Sequence, residues 1–349
     1  MAEDLEYSRY IQFDAPKQVS VQESKLVSSD RGSVLVSSKY SAVSTGTELL
    51  LFTGKMPGDI PTDEVFASQK ERFSYPCKYG YAVVGTVITS HANELQPGTK
   101  VFAFREHVSE FWEEAKNLHV LPNDVELLDA CFFPSVETAV SLVFDAGILP
   151  GESITIVGQG VVGLLVTSVI KHLYPYSKVM TVDTNPKRRK LSVEQAGASN
   201  SFDATEAIGT VAKELFPFGT DVSIDVSGCG EGLQTAISCT RDHGRVVIGS
   251  WFGTKSVTLP NLGGRFHRSH IQLVASQVSA IPPAVSGRWT KARRFKLVWK
   301  LLSDIRPSSI FPMRIADVHN AQKIYSDLAS GELLQAIFTY GDTELRDSK

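Results

Sequence analysis

Three glycines follow a short apolar run and stand in the spacing G-x-G-x-x-G, as Gly158, Gly160 and Gly163. In this pattern the first glycine permits a tight turn, the second lets a pyrophosphate approach the backbone, and the third lets a helix pack closely on the strand. The N–H groups at the start of that helix, near Val161 and Val162, attract phosphate oxygens. The spacing predicts a dinucleotide site. The alternatives are a structural glycine turn or a methyltransferase-type site.

An acidic residue, Asp183, lies twenty residues after Gly163, at the end of a second apolar run. A carboxylate at this point accepts hydrogen bonds from the adenosine ribose hydroxyls and repels a 2′-phosphate. We therefore expect NAD as the cofactor, with NADP less favoured. The basic run at 187–190, which includes Arg188, is expected to cover the adenine, although its charge would offset part of that repulsion.

Length, charge and cysteine usage limit the class of protein. At 349 residues two domains are expected. The 35 basic and 38 acidic residues give a net charge of −3, which offers no electrostatic basis for binding nucleic acid or a membrane surface. The polar, acidic start is unlike a secretion signal, and the four cysteines lack C-x-x-C spacing. We therefore expect a reduced, cytoplasmic protein without a membrane helix.

The pattern of apolar runs changes along the chain. Before residue 130 short β-branched runs alternate with Gly, Pro and Asn turns, which is typical of a compact β domain. Strands are predicted there at 33–38, 82–89 and 100–104. After residue 150 strands (154–157, 179–182, 221–225, 245–250, 271–276) alternate with helices (162–173, 187–194, 206–215, 230–239). That alternation predicts an α/β fold with a parallel, doubly wound sheet.

Four ordered motifs resemble the medium-chain dehydrogenase/reductase superfamily over almost the whole chain. They are GTEL at 46–49, YGYAVVG at 79–85, DVSG at 225–228 and GRVV at 244–247. The resemblance implies a GroES-like β domain at 1–133, completed by 286–349, and a Rossmann domain at 134–285. The STGTE segment at 44–48 is similar to a zinc-lacking branch, which includes bacteriochlorophyllide hydroxyethyl dehydrogenase-like and uncharacterised alcohol dehydrogenase-like proteins.

The positions at which this superfamily holds catalytic zinc carry poor ligands. The resemblance puts Thr45, or Ser44 with a one-residue offset, at the first position, Tyr81 at the second and Pro134 at the third. Catalytic zinc needs three protein ligands and an open position. The segment 86–128 contains no cysteine, so the four-cysteine structural lobe is missing as well. We therefore expect no zinc.

Without zinc, a substrate carbonyl that accepts hydride needs another hydrogen-bond donor or acid. The candidates are Thr47, Tyr81, His107, Thr45 and Glu48. Thr47 matches the proton-relay hydroxyl of the family, Tyr81 and Thr45 stand at ligand positions, and His107 follows a strand and is expected at the cleft between the domains. Glu48 is expected to orient the site. The alternatives are a turn hydroxyl, a packed aromatic ring, a loop histidine and an acid at a helix N-terminus.

Three more residues are predicted to contact the cofactor. Thr138 matches a threonine that packs at the nicotinamide in the family, and Ser227 and Gly228 belong to the D-x-x-G motif. Glu137, next to Thr138, is a weaker candidate for the site.

The sequence therefore predicts a zinc-independent oxidoreductase that transfers a hydride between NAD(H) and a hydroxyl or carbonyl group of a small-molecule substrate. One alternative is a quinone or enone C=C reductase of the zinc-free type. The other is an NAD(P)-binding protein without catalysis. The resemblance also implies a homodimer formed through the last Rossmann strand, near 271–276.

Overall fold

The structure is a computed structural model of the chain, and it describes residues 7–27, 32–58, 73–204, 207–258 and 262–341. Contacts along the backbone divide the chain into two compact units. The first consists of Met1–Pro134 with Pro312–Lys349, and the second of Ser135–Phe311.

The first unit is rich in β-structure. Its strands are β1 (Tyr7–Ala15), β2 (Gln18–Lys25), β3 (Ser33–Ala42), β4 (Cys77–Lys78), β5 (Val83–Ser90), β6 (Lys100–Ala103), β7 (Glu110–Glu114), β8 (His119–Val120), β15 (Arg314–Asp317) and β16 (Ala336–Thr339). Its α-helices are α1 (Thr47–Phe52), α2 (Leu127–Ala130) and α9 (Ala321–Ser330).

The larger sheet of this unit has the order β15-β16-β3-β5-β6-β8, with β7 paired to β3, and a smaller sheet has the order β2-β1-β4. Strand β16 lies antiparallel to β3, so the C-terminal segment completes a sheet begun near the N-terminus. At Gly85 a Cβ would come within 2.3 Å of the carbonyl oxygen of Ser37, so β5 can approach β3 closely only with glycine there. Beneath the sheets, Phe13, Tyr325 and Phe338 are buried in one apolar core.

The second unit alternates strands and helices. Its strands are β9 (Ser153–Val157), β10 (Lys178–Val182), β11 (Asn200–Phe202), β12 (Thr220–Asp225), β13 (Thr240–Ile248) and β14 (Gln272–Ala275). Its α-helices are α3 (Phe133–Ala146), α4 (Val161–Leu173), α5 (Pro186–Glu194), α6 (Ile208–Leu215), α7 (Gly230–Cys239) and α8 (Lys291–Ile305).

Its strands form one sheet in the order β11-β10-β9-β12-β13-β14, and each neighbouring pair is parallel. The order reverses between β9 and β12, which places the carboxyl end of β9 at the switch point where doubly wound sheets bind ligands. The predicted fold class, a β-rich domain with a doubly wound parallel sheet, is confirmed. The apolar runs at 154–157 and 179–182 are buried strands, as expected for a sheet covered on both faces.

The chain rejoins the first unit at Pro312, whereas the sequence predicted this boundary at residue 286. The structure groups the chain with the second unit as far as Phe311. Helix α8 accounts for the difference, because it packs against α4 and buries Val298, Leu301 and Leu302.

In the part of the chain that the structure describes, no helix has both the length and the hydropathy that crossing a bilayer requires.

Candidate functional site

The predicted glycine turn connects β9 to α4 in the second unit. Gly158 has a φ of +93°, and a Cβ there would lie 2.7 Å from the Cα of Ser227. A Cβ on Gly163 would lie 1.9 Å from the carbonyl oxygen of Gly158, whereas one on Gly160 would meet no atom within 4 Å. The first and third glycines are therefore required by the fold. The second leaves the backbone open to a ligand.

The N-terminus of α4 is available to an anion. No side chain caps the helix at Gly160. The first N–H groups of a helix have no partner within it, and they carry part of the positive end of the helix dipole. Val161 and Gly163 are buried and Val162 is half-buried. The turn can thus present unpaired N–H groups to a phosphate, as the sequence predicted.

Asp183, at the end of β10, is almost fully buried and holds the glycine turn in place. One carboxylate oxygen accepts the N–H of Gln159 at 2.6 Å, and the other accepts the N–H of Asn185 at 2.7 Å. Each oxygen retains a further acceptor position. The carboxylate can therefore hold the turn and accept ribose hydroxyls at the same time.

The basic run after Asp183 divides into structural and available side chains. Arg189 donates to the carbonyl oxygen of Asp183 at 2.9 Å and to the carboxylate of Asp203 at 2.8 Å. Arg188 is half-buried, and its side chain has no hydrogen bond or ion pair with any residue the structure describes. Arg188 therefore remains the candidate for contact with the cofactor, while Arg189 is engaged in holding the loop.

The D-x-x-G motif lies against the glycine turn, but the Ser227 hydroxyl and the Gly228 N–H already have partners. The Ser227 hydroxyl donates to Asp225 at 2.6 Å, and the Gly228 N–H donates to the Ser250 hydroxyl at 2.8 Å. Burial raises the pKa of Asp225, against the lowering effect of the hydrogen bonds from Ser227 and Ser250. Ser227 thus reaches the turn through its backbone, and Gly228 offers no free N–H.

Glu137 and the half-buried Thr138 lie side by side on α3. Glu137 forms a buried ion pair with Arg294 of α8. The guanidinium also donates to the Ser141 hydroxyl at 2.9 Å and to the carbonyl oxygens of Val278 and Ala280, at 2.7 and 3.1 Å. Burial raises the pKa of Glu137, and Arg294 opposes that effect. These partners all belong to the second unit. The role of Glu137 is therefore to hold α3 against α8.

In the first unit, Glu48 lies in the first turn of α1 with its side chain fully buried. Its Oε2 interacts with Nε2 of His107 at 3.0 Å and accepts the hydroxyl of Tyr325. Its Oε1 accepts the backbone N–H of Ser44 at 2.8 Å. A buried carboxylate needs such partners to offset its lost hydration. We call Glu48, His107, Tyr325, Ser41 and Tyr340 the carboxylate–imidazole network.

His107 does not lie where the sequence predicted. Its side chain has no exposed surface, and Nδ1 is 2.6 Å from the Ser41 hydroxyl, which in turn is 2.5 Å from the hydroxyl of Tyr340. The residue is packed so closely that a Cβ at Gly80 would lie 2.8 Å from its ring. Direct proton transfer from His107 to a substrate is therefore inconsistent with its position inside the unit.

Tyr81 donates its hydroxyl hydrogen to the Ser44 hydroxyl, and both residues are half-buried. Thr45 and Thr47 are half-buried as well, but no side-chain hydrogen bond joins either of them to another described residue. The α1 helix begins at Thr47, with Gly46 as its uncapped N-terminal boundary. Among the predicted hydroxyls, that of Tyr81 is thus hydrogen-bonded to Ser44, whereas those of Thr45 and Thr47 make no such bond to a described residue. Their proposed roles stay predictions.

The side chains that the resemblance puts at the zinc positions do not suit zinc. The hydroxyls of Thr45, or Ser44 with the offset, and of Tyr81 are weak ligands, and Pro134 has no ligand atom, whereas catalytic zinc sites use His, Cys or carboxylates. Over the described ranges, no group of three or more His, Cys, Asp or Glu side chains is arranged to hold a metal ion. The donor set available here therefore does not fit a catalytic zinc ion.

Comparison with known proteins gives one family match. The family described as "Zinc-binding dehydrogenase" matches residues 161–294. A probable D-xylulose reductase A of Aspergillus niger is 29% identical over 215 residues, 57% of this chain and 59% of that protein. An L-threonine 3-dehydrogenase of Stenotrophomonas maltophilia is 26% identical over 134 residues, 38% of this chain and 39% of that protein. The chain thus spans less than two thirds of the curated relatives that it matches.

Solved structures match over nearly the whole length. A 2R,3R-butanediol dehydrogenase from Bacillus subtilis has a TM-score of 0.76 at 16% identity, covering 96% of this chain and 100% of that one. A putative zinc-binding dehydrogenase from Sinorhizobium meliloti, solved with NADP, has a TM-score of 0.74 at 17% identity, covering 96% and 99%. At this identity the structures establish the fold.

The resemblance to a zinc-lacking branch remains a prediction. Residues 161–294 are similar to the zinc-binding dehydrogenase family, and the solved dehydrogenases share the fold over 96% of the chain; membership of the medium-chain dehydrogenase/reductase superfamily likewise stays a prediction.

Proposed function

We propose that the chain is a zinc-independent oxidoreductase that transfers a hydride between NAD(H) and a hydroxyl or carbonyl group of a small molecule. The observation that carries the proposal is the glycine turn with its uncapped helix N-terminus, held by the carboxylate of Asp183. The relatives include a D-xylulose reductase and a 2R,3R-butanediol dehydrogenase, whose names agree with this reaction class. We further propose a cytoplasmic homodimer.

In this proposal the N–H groups at the start of α4 bind the pyrophosphate, and the carboxylate of Asp183 accepts the ribose hydroxyls. The preference for NAD over NADP rests on that carboxylate, which would repel a 2′-phosphate. The nicotinamide, when bound, supplies or accepts the hydride. Arg188, whose side chain has no partner among the described residues, is assigned to the adenine end of the cofactor.

The hydroxyl of Tyr81 is assigned as the group that gives a proton to the substrate oxygen. In the reductive direction a carbonyl oxygen becomes negatively charged as it takes up hydride, and a hydroxyl donor at hydrogen-bond distance stabilises that charge and then yields its proton. The tyrosine O–H bond breaks, a new O–H bond forms on the substrate, and solvent returns a proton to the phenolate. No step passes through a metal, because the side chains at the family's ligand positions do not suit one.

The experiment uses the full chain purified without chelator. Fluorescence titration should show tight binding of NADH and weaker binding of NADPH. Elemental analysis should find far less than one zinc ion per chain. Turnover is then measured on a panel of alcohols, aldehydes, ketones, quinones and enones.

Turnover of a hydroxyl–ketone pair supports the proposal. Turnover restricted to quinones or enones would replace it with C=C reduction, and NADH binding without any turnover would indicate a binding protein. One zinc ion per chain would overturn the metal assignment, and tighter binding of NADPH would overturn the NAD preference.

A further inference from the structure

Among the described residues, Ser44 joins the carboxylate–imidazole network, through its backbone bonds to Glu48, to the half-buried hydroxyl of Tyr81. Glu48, His107, Ser41 and Tyr325 are fully buried, and so cannot touch a substrate themselves. Ser44, by contrast, is half-buried, and its hydroxyl accepts the hydrogen bond of Tyr81. The network can therefore act at this site through Ser44.

We propose that Ser44 is the positioning residue of Tyr81 and that the buried network exists to hold Ser44. This inference rests on the proposed function, in which Tyr81 exchanges a proton with the substrate oxygen. Ser44 itself transfers no proton to the substrate.

The backbone of Ser44 is fixed from two directions by the same residue. Its N–H donates to Oε1 of Glu48 at 2.8 Å, and its carbonyl oxygen accepts the N–H of Glu48 at 2.9 Å. This reciprocal pair holds the segment before α1 in one conformation. It therefore fixes the point from which the Ser44 side chain extends.

Glu48 is held in turn by groups from distant parts of the chain. His107 and Tyr325 both bind Oε2, and Ser41 lies between Nδ1 of His107 and the hydroxyl of Tyr340. A carboxylate with three hydrogen-bond partners and no exposed surface has little freedom to move. The position of Ser44 is thus set by the core of the first unit, although the residue itself is half-buried.

The Ser44 hydroxyl can serve both protonation states of Tyr81. While the phenol is protonated, the serine oxygen accepts its hydrogen and directs the ring oxygen. After Tyr81 has given its proton to the substrate, the serine O–H can rotate and donate to the phenolate, because a hydroxyl is both donor and acceptor. A hydrogen bond to the charged form lowers a pKa. Ser44 is therefore expected to lower the pKa of Tyr81.

The chain supplies matched controls. Thr89, half-buried on β5, carries a hydroxyl that does not bind Tyr81 and has no role in the proposed function. Ser44→Ala removes the proposed hydrogen bond, Ser44→Thr keeps a hydroxyl, and Thr89→Ala removes a hydroxyl of the same burial class in the same unit. Tyr81→Phe removes the proton donor itself.

The test begins with the wild type, whose NADH binding and turnover decide the proposed function before any variant is examined. Then kcat, KM and the pH profile of kcat are measured for the four variants on the same substrate. For Ser44→Ala we expect kcat to fall about tenfold or more, the loss typical of one hydrogen bond to a charged group. We expect KM and NADH affinity to stay within about twofold, because the serine touches neither ligand.

The pH profile separates a positioning role from a structural one. Ser44→Ala should move the alkaline limb of the profile to higher pH, Tyr81→Phe should abolish that limb, and Ser44→Thr should restore it. Thr89→Ala should leave both kcat and the limb unchanged. An unmoved limb in Ser44→Ala, or an equal loss in Thr89→Ala, would overturn the inference while leaving the proposed function standing.

A second readout does not need a substrate. With 3-fluorotyrosine incorporated, the fluorine resonance of residue 81, identified by its loss in Tyr81→Phe, reports the ionisation of that phenol. The inference expects a higher pKa for Tyr81 in Ser44→Ala than in the wild type or in Thr89→Ala. Equal pKa values in all three proteins would overturn it.

Discussion

At the scale of single residues, the glycine turn allows its two roles to be separated experimentally. Gly160→Ala adds a methyl group where no atom lies within 4 Å, so the fold should tolerate it. Gly163→Ala adds one 1.9 Å from the carbonyl oxygen of Gly158, where the backbone must move. We expect Gly160→Ala to keep the wild-type melting temperature while NADH affinity falls about tenfold or more, because the methyl group occupies the approach of the pyrophosphate.

Gly163→Ala should lower both the melting temperature and NADH affinity. The two variants add the same methyl group, but one disturbs the fold and the other only the approach of the ligand. Melting is followed by circular dichroism and affinity by fluorescence titration. Undiminished NADH binding in Gly160→Ala would show that the backbone at this glycine does not approach a phosphate.

The residue scale also shows what the sequence could reveal. The glycines and Asp183 were predictable because the backbone geometry of a tight turn restricts the residue type at fixed spacings. The buried position of His107 was not predictable, because its partner Glu48 is 59 residues away in the sequence and Tyr325 lies 277 residues from Glu48. No periodicity in a single sequence identifies such a pair. The family position of Glu48 indicated only an orienting role.

At the scale of elements, Asp221 at the start of β12 ties two central strands together. It accepts the N–H and the hydroxyl of Ser153, at the start of β9, both at 2.8 Å, and Arg241 at 3.1 Å. Burial alone would raise the pKa of Asp221, but the hydrogen bonds from Ser153 and Arg241 outweigh it and hold the pKa below its usual value. The ionised carboxylate is therefore favoured in the folded protein.

For Asp221→Asn we expect a loss of about 1–2 kcal/mol in the free energy of unfolding at pH 7, because hydrogen bonds to a charged group are replaced by weaker ones. A group with a lowered folded pKa stabilises the protein fully above its unfolded pKa, about 3.9, and loses that contribution as the pH falls. The difference in the free energy of unfolding between the wild type and Asp221→Asn should therefore become smaller below about pH 4.

Denaturant unfolding across that pH range measures the effect. Glu194→Gln, in an exposed pair with Lys190 at 3.8 Å, is the control and should change the free energy of unfolding by less than about 0.5 kcal/mol. A difference for Asp221→Asn that stays constant from pH 7 to pH 3 would contradict the assignment.

The elements themselves differed in how well the sequence predicted them. The continuous apolar runs of the parallel sheet were found to within a few residues, since buried strands have no polar face. β1 and β2 were not predicted, because their alternation is interrupted by charged positions such as the half-buried Arg9 and the exposed Glu23. β11 has only three residues, which is too short for any pattern.

At the scale of the whole molecule, the proposed homodimer can be tested at the edge of the parallel sheet. β14 is the last strand of the sheet within the described ranges, and Leu273 on it is 37% exposed. An exposed strand edge is a surface that a second copy can cover. We expect a particle of twice 38.1 kDa by light scattering, and a shift to the monomer in Leu273→Glu, which puts a charge on that edge.

Leu215, 39% exposed at the end of α6, provides the comparison. Leu215→Glu should leave the dimer intact. If both variants remain dimeric, the contact lies elsewhere on the chain, and a monomeric wild type would remove the homodimer from the proposal.

The pairing of β16 with β3 has a consequence for how the protein is made. A ribosome delivers β3 and Glu48 early, but Tyr325, β16 and Tyr340 emerge only after all of the second unit has been synthesised. During that interval β3 has an open edge at residues 40–42, where β16 later pairs, and Glu48 lacks its tyrosine partner. Nascent domains fold as soon as their segments are available. The second unit can thus fold on the growing chain, while a stalled or truncated product exposes an unpaired strand and an uncompensated carboxylate, both of which favour aggregation or removal by proteases.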